Sequence, residues 1–486
     1  MNTQPNTAAL AHVRWVAGIL ALLSAWSAHA QSGPIATQNL FFNEASGAHQ
    51  GNYLEAQTGV IYVDNASFEP GGSSDELAMI GLVGDTSRTG APRVDYHLDS
   101  DISLIKYLQN SYDTQPFGYA DGDVELKLVP GLFSWVGRAT YSQASLDPSQ
   151  PAIPTNLENI TYLTTGPKFN FRPTLRTTIT LGGVYSYVVT GSKSPLYLDI
   201  DNQRYGGDVK VSRAFTNSLS AYASFSYDKV KFKDTIDNTD FDQKQYLLGL
   251  TFGDARTAIE ASGGYTQLVL FPTPAQTEIT NTSPAGTTWN VSISRLLSPR
   301  QRLSLHASKQ ITDAANLFRF NLDQPTPVTQ NNQFLTDQPF THREYGASWR
   351  IEGVRSTLQF SGLVATDRYD NTPASNRDSD ILNGFFTRKL NRPLVWELGV
   401  AYERDKYSTA SQAFSTTTVL TTLRWRLGSR LALRFIYAYT NIAEQSLSQN
   451  QIGVTASYAL TQAAEATDTL MVPLTPNSPA MQPPLL

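Results

Sequence analysis

From Leu431 to Tyr439 the chain reads LALRFIYAY, placing Leu431, Leu433, Phe435, Tyr437 and Tyr439 at every second position. The same rhythm runs through Ser218–Tyr227 (SLSAYASFSY), where Leu219, Ala221, Ala223, Phe225 and Tyr227 fall together. In Gln451–Leu460 (QIGVTASYAL), Ile452, Val454, Ala456, Tyr458 and Leu460 oppose Gly453, Thr455, Ser457 and Ala459. A period of two belongs to the β-strand and not to the helix. Successive side chains of a strand point to opposite faces, so each segment has one apolar face and one small, hydroxylated or charged face. The apolar face tends to end in Tyr, Phe or Trp, as suits a ring placed between hydrocarbon and water.

The connections between these segments alternate in length. Compact turn signals recur near residues 89, 130, 173, 215, 254, 298, 353, 391 and 428, in stretches such as RPTLRTTI, SRAFTNSLSA, FGDARTAI, SRLLSPRQRLSL and WRLGSRLAL. Between them lie longer segments rich in Pro, Asn, Asp and Gln: Asp147–Asn159, Gly191–Gln203, Phe271–Thr287, Asp313–Thr341 and Arg368–Asp380. Short turns on one side and long loops on the other describe a membrane β-barrel. Nine turns join eighteen strands; one strand before them (Asn52–Asp64) and one after (Gln451–Leu460) bring the total to twenty, with eighteen the alternative. The expected fold is therefore all-β: a transmembrane antiparallel up-and-down β-barrel with short periplasmic turns and long extracellular loops. Closure is a physical requirement, because hydrocarbon offers no hydrogen-bond partner to a free sheet edge. A soluble sandwich array or β-solenoid would explain the alternation but not the asymmetry of the connections.

Composition narrows the function. Charged residues make up 16% of the chain, against about 25% in ordinary soluble domains. There is no cysteine, which excludes disulfide scaffolds, thiol enzymes and cysteine metal sites. With 37 basic and 42 acidic residues and no basic block, nucleic acid is not an expected partner. Beyond the first thirty residues no apolar run reaches the ~20 residues of a membrane helix.

The ends depart from the barrel pattern. Residues 1–30 read as a secretory signal peptide: Arg14, an apolar run from Trp15 to Trp26, then Ala28-His29-Ala30 as the cleavage site. Residues 31–51 form a polar periplasmic lead-in, residues 52–460 the outer-membrane barrel, and residues 461–486 a Pro-rich, disordered C-terminal tail. Export without a lipidation cysteine and with barrel strands places the chain in the bacterial outer membrane.

If the apolar positions face lipid, the intervening ones line a lumen. Opposite Val94, Tyr96 and Leu98 stand Asp95, His97, Asp99 and Asp101 as an acidic ladder. Arg204, Asp208 and Lys210 oppose Tyr205, Val209 and Val211. Glu397 and Glu403, Arg424 and Arg426, and Arg434 fall on three successive strands and are expected to form one lumenal charge cluster. Mixed signs argue against a strongly ion-selective pore, and opposite charges on neighbouring strands also stabilise a sheet without any further role. Two enzymatic patterns present themselves: Asp95-His97-Asp99 as a catalytic or metal-binding trio, and Ser304 with His306 on one face. Alternation in a charged lumen produces the first by chance, and the second lacks an acid. No phosphate loop or dense metal motif is present, so no catalytic residue, cofactor or metal is expected.

The segments GPKFNFRPTLRTTITLGGVYSYV, RYGGDVKVSRAFTNSLSAYASFSYDKVKF, DQKQYLLGLTFGDARTAIEASGGYTQL, SRLLSPRQRLSLHASKQITDAANLFRF and REYGASWRIEGVRSTLQFSG carry a likeness. The chain resembles the outer-membrane β-barrel proteins encoded with exopolysaccharide biosynthesis and exosortase (PEP-CTERM) gene clusters, often labelled β-barrel porins. The resemblance spans Asn52 to Leu460 and rests on turn and strand patterns. It implies a barrel of the Gram-negative outer membrane, with the lipid bilayer, a polysaccharide or oligosaccharide and periplasmic export machinery as partners, and it brings no catalytic residues. The expected function is a non-enzymatic, water-filled channel assisting exopolysaccharide export. The alternatives are a general or sugar-specific uptake porin, and a barrel enzyme or surface adhesin.

Overall fold

The computed structural model describes residues 53–145, 154–191, 200–234, 238–274, 276, 279–316, 338–408 and 413–461. The signal peptide, the lead-in and all but the first residue of the tail lie outside the described residues. Twenty strands follow one another: β1 (Tyr53–Val63), β2 (Asp75–Arg88), β3 (Val94–Tyr107), β4 (Gln115–Val129), β5 (Phe133–Ser145), β6 (Leu157–Thr174), β7 (Thr177–Thr190), β8 (Asn202–Ala214), β9 (Leu219–Phe232) and β10 (Asp240–Gly253). They continue with β11 (Thr257–Phe271), β12 (Ala285–Ser298), β13 (Gln301–Thr312), β14 (Phe340–Glu352), β15 (Ser356–Arg368), β16 (Arg377–Lys389), β17 (Leu394–Tyr407), β18 (Phe414–Arg426), β19 (Leu431–Ile442) and β20 (Leu447–Ala459).

Each strand pairs antiparallel with the next, and β1 pairs with β20 from Glu55↔Ala459 to Val63↔Gln451. That last ladder closes the sheet, so every strand has two neighbours and no edge is left to satisfy. Each expected turn joins an even-numbered strand to the odd one after it, and the longer loops join the opposite ends. One loop is shorter than the pattern leads one to expect: Ala443–Ser446 connects β19 to β20 on the long-loop side, with Ser446 at φ 52° completing a tight turn. Register shifts occur where β4, β6 and β12 meet their turns, next to Lys127, Phe171 and Leu296. At the first of these, Gly131 sits at φ 76°, a conformation a side chain resists.

The outward face is apolar all the way round. Val60, Tyr62, Ile80, Tyr246, Leu248, Leu250, Tyr345, Phe360, Val364, Leu382, Phe435, Ile452 and Val454 are exposed. Trp135, Phe169, Phe171, Trp349, Trp425 and Tyr458 form an aromatic band near the periplasmic turns, and Tyr62, Tyr205 and Tyr437 stand toward the other rim. In water this much exposed apolar surface would aggregate; in a bilayer it is the natural contact surface.

Candidate functional site in the barrel interior

The inward face is not uniform along the barrel axis. In the periplasmic half it is polar and partly exposed; in the extracellular half it is largely buried. On β1 to β4 the inward positions of the extracellular half are Ile61, Val63, Leu77, Met79, Ile105, Tyr107 and Phe117, and they pack in one buried cluster with Ala401, Leu420, Ile436 and Ala438 of β17 to β19. A second cluster joins Ile160 and Tyr162 of β6, Val188 of β7, Val230 and Phe232 of β9, Phe241 of β10, Leu268 and Leu270 of β11 and Ile311 of β13. The expected water-filled path thus meets buried apolar side chains in the extracellular half. In the upper parts of β1 (VIYV) and β11 (LVLF) both faces are apolar, so there the alternation that defines a wet wall stops partway up.

Charges in the extracellular half are paired and buried. Arg204 donates from both terminal nitrogens to the Asp313 carboxylate, at 3.1 and 2.5 Å, and from Nε to Asn202 Oδ1 at 2.9 Å. Both side chains of this pair are nearly inaccessible, at 3% and 4%. A second array crosses β13 to β17. His306 Nε2–H donates to Glu344 Oε1 at 2.5 Å, and His342 Nδ1–H donates to Asp367 Oδ1 at 2.6 Å. Arg377 Nε then donates to Asp367 Oδ2 at 3.2 Å and stands 4.0 Å from Asp405 Oδ1. The His306 ring lies across Gly346 on the neighbouring strand, where any Cβ would collide with it. Burial of this many charges is tolerable only because each has a partner.

In the periplasmic half the inward side chains range from buried to half-exposed. Asp95 accepts from Lys127 Nζ at 2.6 Å, and His97 stands between Asp85 at 3.5 Å and Asp123 at 3.7 Å. Asp99 accepts from the Tyr119 hydroxyl at 3.1 Å. Asp101, opposite Tyr119, is buried at the boundary of the two zones. Arg138 makes two 3.0 Å hydrogen bonds to Asp121. Farther round, the Lys210 ammonium lies 4.2 Å from the centre of the Tyr222 ring, whose hydroxyl donates to Glu260 at 3.4 Å. Asp208, two residues from Lys210, is opposite Gly182 and Ser226. Between these charged sectors, β12 and β13 present Asn290, Ser292, Ser294, Ser304 and Ser308 on one shared face.

Of the five charges expected to meet on β17 to β19, Glu397, Arg424, Arg426 and Arg434 lie near one level close to the short turns, and Glu403 does not. Glu397 accepts from Thr422 Oγ1 at 2.6 Å, whereas Glu403 lies six residues up β17, near Asp405. Arg424 reaches across the closure to Glu55 at 2.8 Å. Arg434 is directly opposite Arg424, and Arg426 is exposed near the β18 end. The strand period fixes which face a residue takes but not its height, and Glu403 sits higher than the other four. Ser304 shares a 3.1 Å hydrogen bond with Ser294, while His306 engages Glu344, so each of that pair has its own partner. Among the described residues no group of three His, Asp or Glu is arranged to hold a metal ion.

No family model matches the chain, and no curated protein matches it. Among solved structures it is similar to the siderophore receptor PirA of Pseudomonas aeruginosa, at 8% identity and TM-score 0.40, covering 84% of this chain and 81% of that one. PirA of Acinetobacter baumannii matches at 6% identity and TM-score 0.44, with 84% and 81% covered. A ferric enterobactin receptor of P. aeruginosa matches at 8% and 0.41, with 85% and 81% covered.

Proposed function

We propose that the chain is an outer-membrane conduit for a hydrophilic polymer, and that the polymer is an exopolysaccharide leaving the cell. The observation that carries this reading is the inward face of the periplasmic half, the vestibule, which carries carboxylates, lysines, arginines and a neutral sector of Ser and Asn. Twenty strands leave room for a water-filled lumen, which eight do not. Hydroxyl and amide groups exchange hydrogen bonds with a sugar chain about as readily as with water, so a polysaccharide slides along such a wall without being trapped. Charges of both signs suit uncharged or weakly charged sugars better than a simple ion. The Lys127–Asp95, Arg138–Asp121 and Arg424–Glu55 pairs keep the wall's net field low.

Sugar uptake is a second reading, favoured by the inward Tyr222, the kind of ring on which sugars stack. Deleting the gene and measuring surface and periplasmic polysaccharide separates the two. Export requires polymer to build up in the periplasm and fall at the surface; uptake leaves both unchanged and slows growth on an oligosaccharide. If neither polymer nor growth changes, and purified barrels pass no solute in bilayers, the conduit reading fails.

A further inference from the structure

β8 and β13 are five strands apart in the ladder, a separation of about 24 Å measured along the wall. An arginine and an aspartate side chain together reach no more than about 11 Å. Yet Arg204, the third residue of β8, holds Asp313, the residue directly after β13, in a two-pronged hydrogen-bonded ion pair. The wall between them must therefore fold sharply at the extracellular end, bringing β8 and β13 face to face across the interior.

Three further observations fit that pinch. The space enclosed by β6 to β13 is filled by the second apolar cluster, to which Ile311 and Ala315 contribute from the β13 side and Ile200 from the β8 side. Gln243 of β10 donates to the Ile311 carbonyl at 3.2 Å, a contact between strands that are not neighbours in the ladder. Above β13 and β14, the β11–β12 loop is tied to the β15–β16 loop: the Thr280 and Asn281 N–H groups donate to Asn371 Oδ1 at 3.1 and 2.9 Å, and Asn281 Nδ2 donates to Asp370 at 3.0 Å. The top of β13 is thus tied inward by Arg204 of β8 and Gln243 of β10.

We propose that the extracellular half of the barrel is a gate, that the β6–β13 lobe is its closed leaf, and that the Arg204–Asp313 pair is the latch. This rests on the conduit reading, since a gate needs a path to close. A packed apolar constriction excludes water and ions without a plug domain. The latch suits a two-state element because its cost is unequal: paired, the two charges are tolerated in a dry interior, but either one alone must move to water, which the open wall supplies. Besides Asp313, the Arg204 guanidinium meets Asn202 and, at 5.8 Å, the Tyr162 ring.

The test uses the full chain, refolded in detergent and inserted in planar bilayers, with far-UV circular dichroism confirming strand content for every variant. Compared are the unmodified barrel, Arg204→Ala, Asp313→Asn and the exchange Arg204→Asp with Asp313→Arg. A second readout does not depend on conductance. Because the chain has no cysteine, Leu268→Cys places one thiol in the fully buried heart of the leaf, and its reaction with a hydrophilic thiol reagent reports opening.

The expected result is roughly tenfold or greater gains in open probability and in thiol labelling of the Leu268→Cys background for both single variants, with the exchange moving both back toward the unmodified barrel. Folded single variants that conduct and label like the unmodified barrel overturn the latch and leave the conduit standing. Variants that label quickly while no barrel passes ions uphold the latch and overturn the conduit.

Discussion

The two halves of the barrel interior are built from the same strands and obey the same register, yet they solve different problems. In the periplasmic half, inward pairs keep some contact with water, from the short Lys127–Asp95 pair to the loose contacts of His97 with Asp85 and Asp123. In the extracellular half, the inward side chains are sealed, and pairs such as Arg204–Asp313 and His342–Asp367 are short and inaccessible. The difference teaches that a barrel wall does not determine whether a barrel is a pore. The sequence at alternate positions does: a polar residue keeps its stretch of wall hydrated, and an apolar one invites the facing wall to collapse on it.

That contrast can be broken most forcefully in the sealed half. Removing one member of a buried ion pair leaves the other charge stranded, at a cost of about 3–5 kcal/mol. Asp367→Ala removes the closest carboxylate of both His342 and Arg377, so it should lower the denaturation midpoint of the refolded barrel more than any single change in the vestibule. Truncating the apolar packing comes close behind: Phe241→Ala, at a fully buried site, should cost about 3–5 kcal/mol in detergent unfolding. A midpoint unchanged by either substitution would mean that the extracellular half is as wet as the vestibule.

In the vestibule the same kind of change should barely register in stability. Lys127→Ala removes a partly exposed pair with Asp95, worth about 0–1 kcal/mol. Its effect belongs instead to selectivity, and reversal potentials should move toward cations as the wall loses a positive charge. The smallest effect concerns the extracellular rim. Burial works to raise the Glu444 carboxyl, but the Ser415 N–H and hydroxyl, each donating at 2.7 Å, hold it below the usual carboxylate range. A carboxyl lowered on folding contributes stability that is complete above its ordinary value near 4.5 and disappears as pH falls below it. Glu444→Gln should therefore flatten the acid side of the stability profile slightly, and a profile identical to that of the unmodified barrel would contradict this.

Much of the fold was legible in the sequence because it is local. The turn near Pro130-Gly131 and the alternation of LALRFIYAY each depend on a few consecutive residues, and ring closure follows from the absence of any partner for a free edge in hydrocarbon. The interior was legible only as a face. Arg204 can be placed inward from its neighbours Tyr205 and Val209, but nothing near it in the chain points to Asp313, and the ties of Arg424 to Glu55 and of Gln243 to Ile311 are just as remote. One local signal does mark the sealed half: alternation gives way to unbroken apolar runs at VIYV (Val60–Val63) and LVLF (Leu268–Phe271). Such runs mean that both faces of the strand are dry. The buried array from His306 to Asp405 carries no such mark, because its members are spread over five strands and meet only through the register.

Thiol accessibility compares the two halves most directly, since any reactive thiol in this cysteine-free chain is one deliberately placed. Asp123→Cys stands in the vestibule, where the native side chain is 52% exposed, and Leu268→Cys stands in the sealed half, where the native leucine is 0% exposed. In barrels embedded in vesicles and treated with a small hydrophilic thiol reagent from both sides, the first should react readily and the second should stay protected until the barrel is denatured. Equal, rapid labelling at both positions would show a bore hydrated from end to end and contradict the division of the interior.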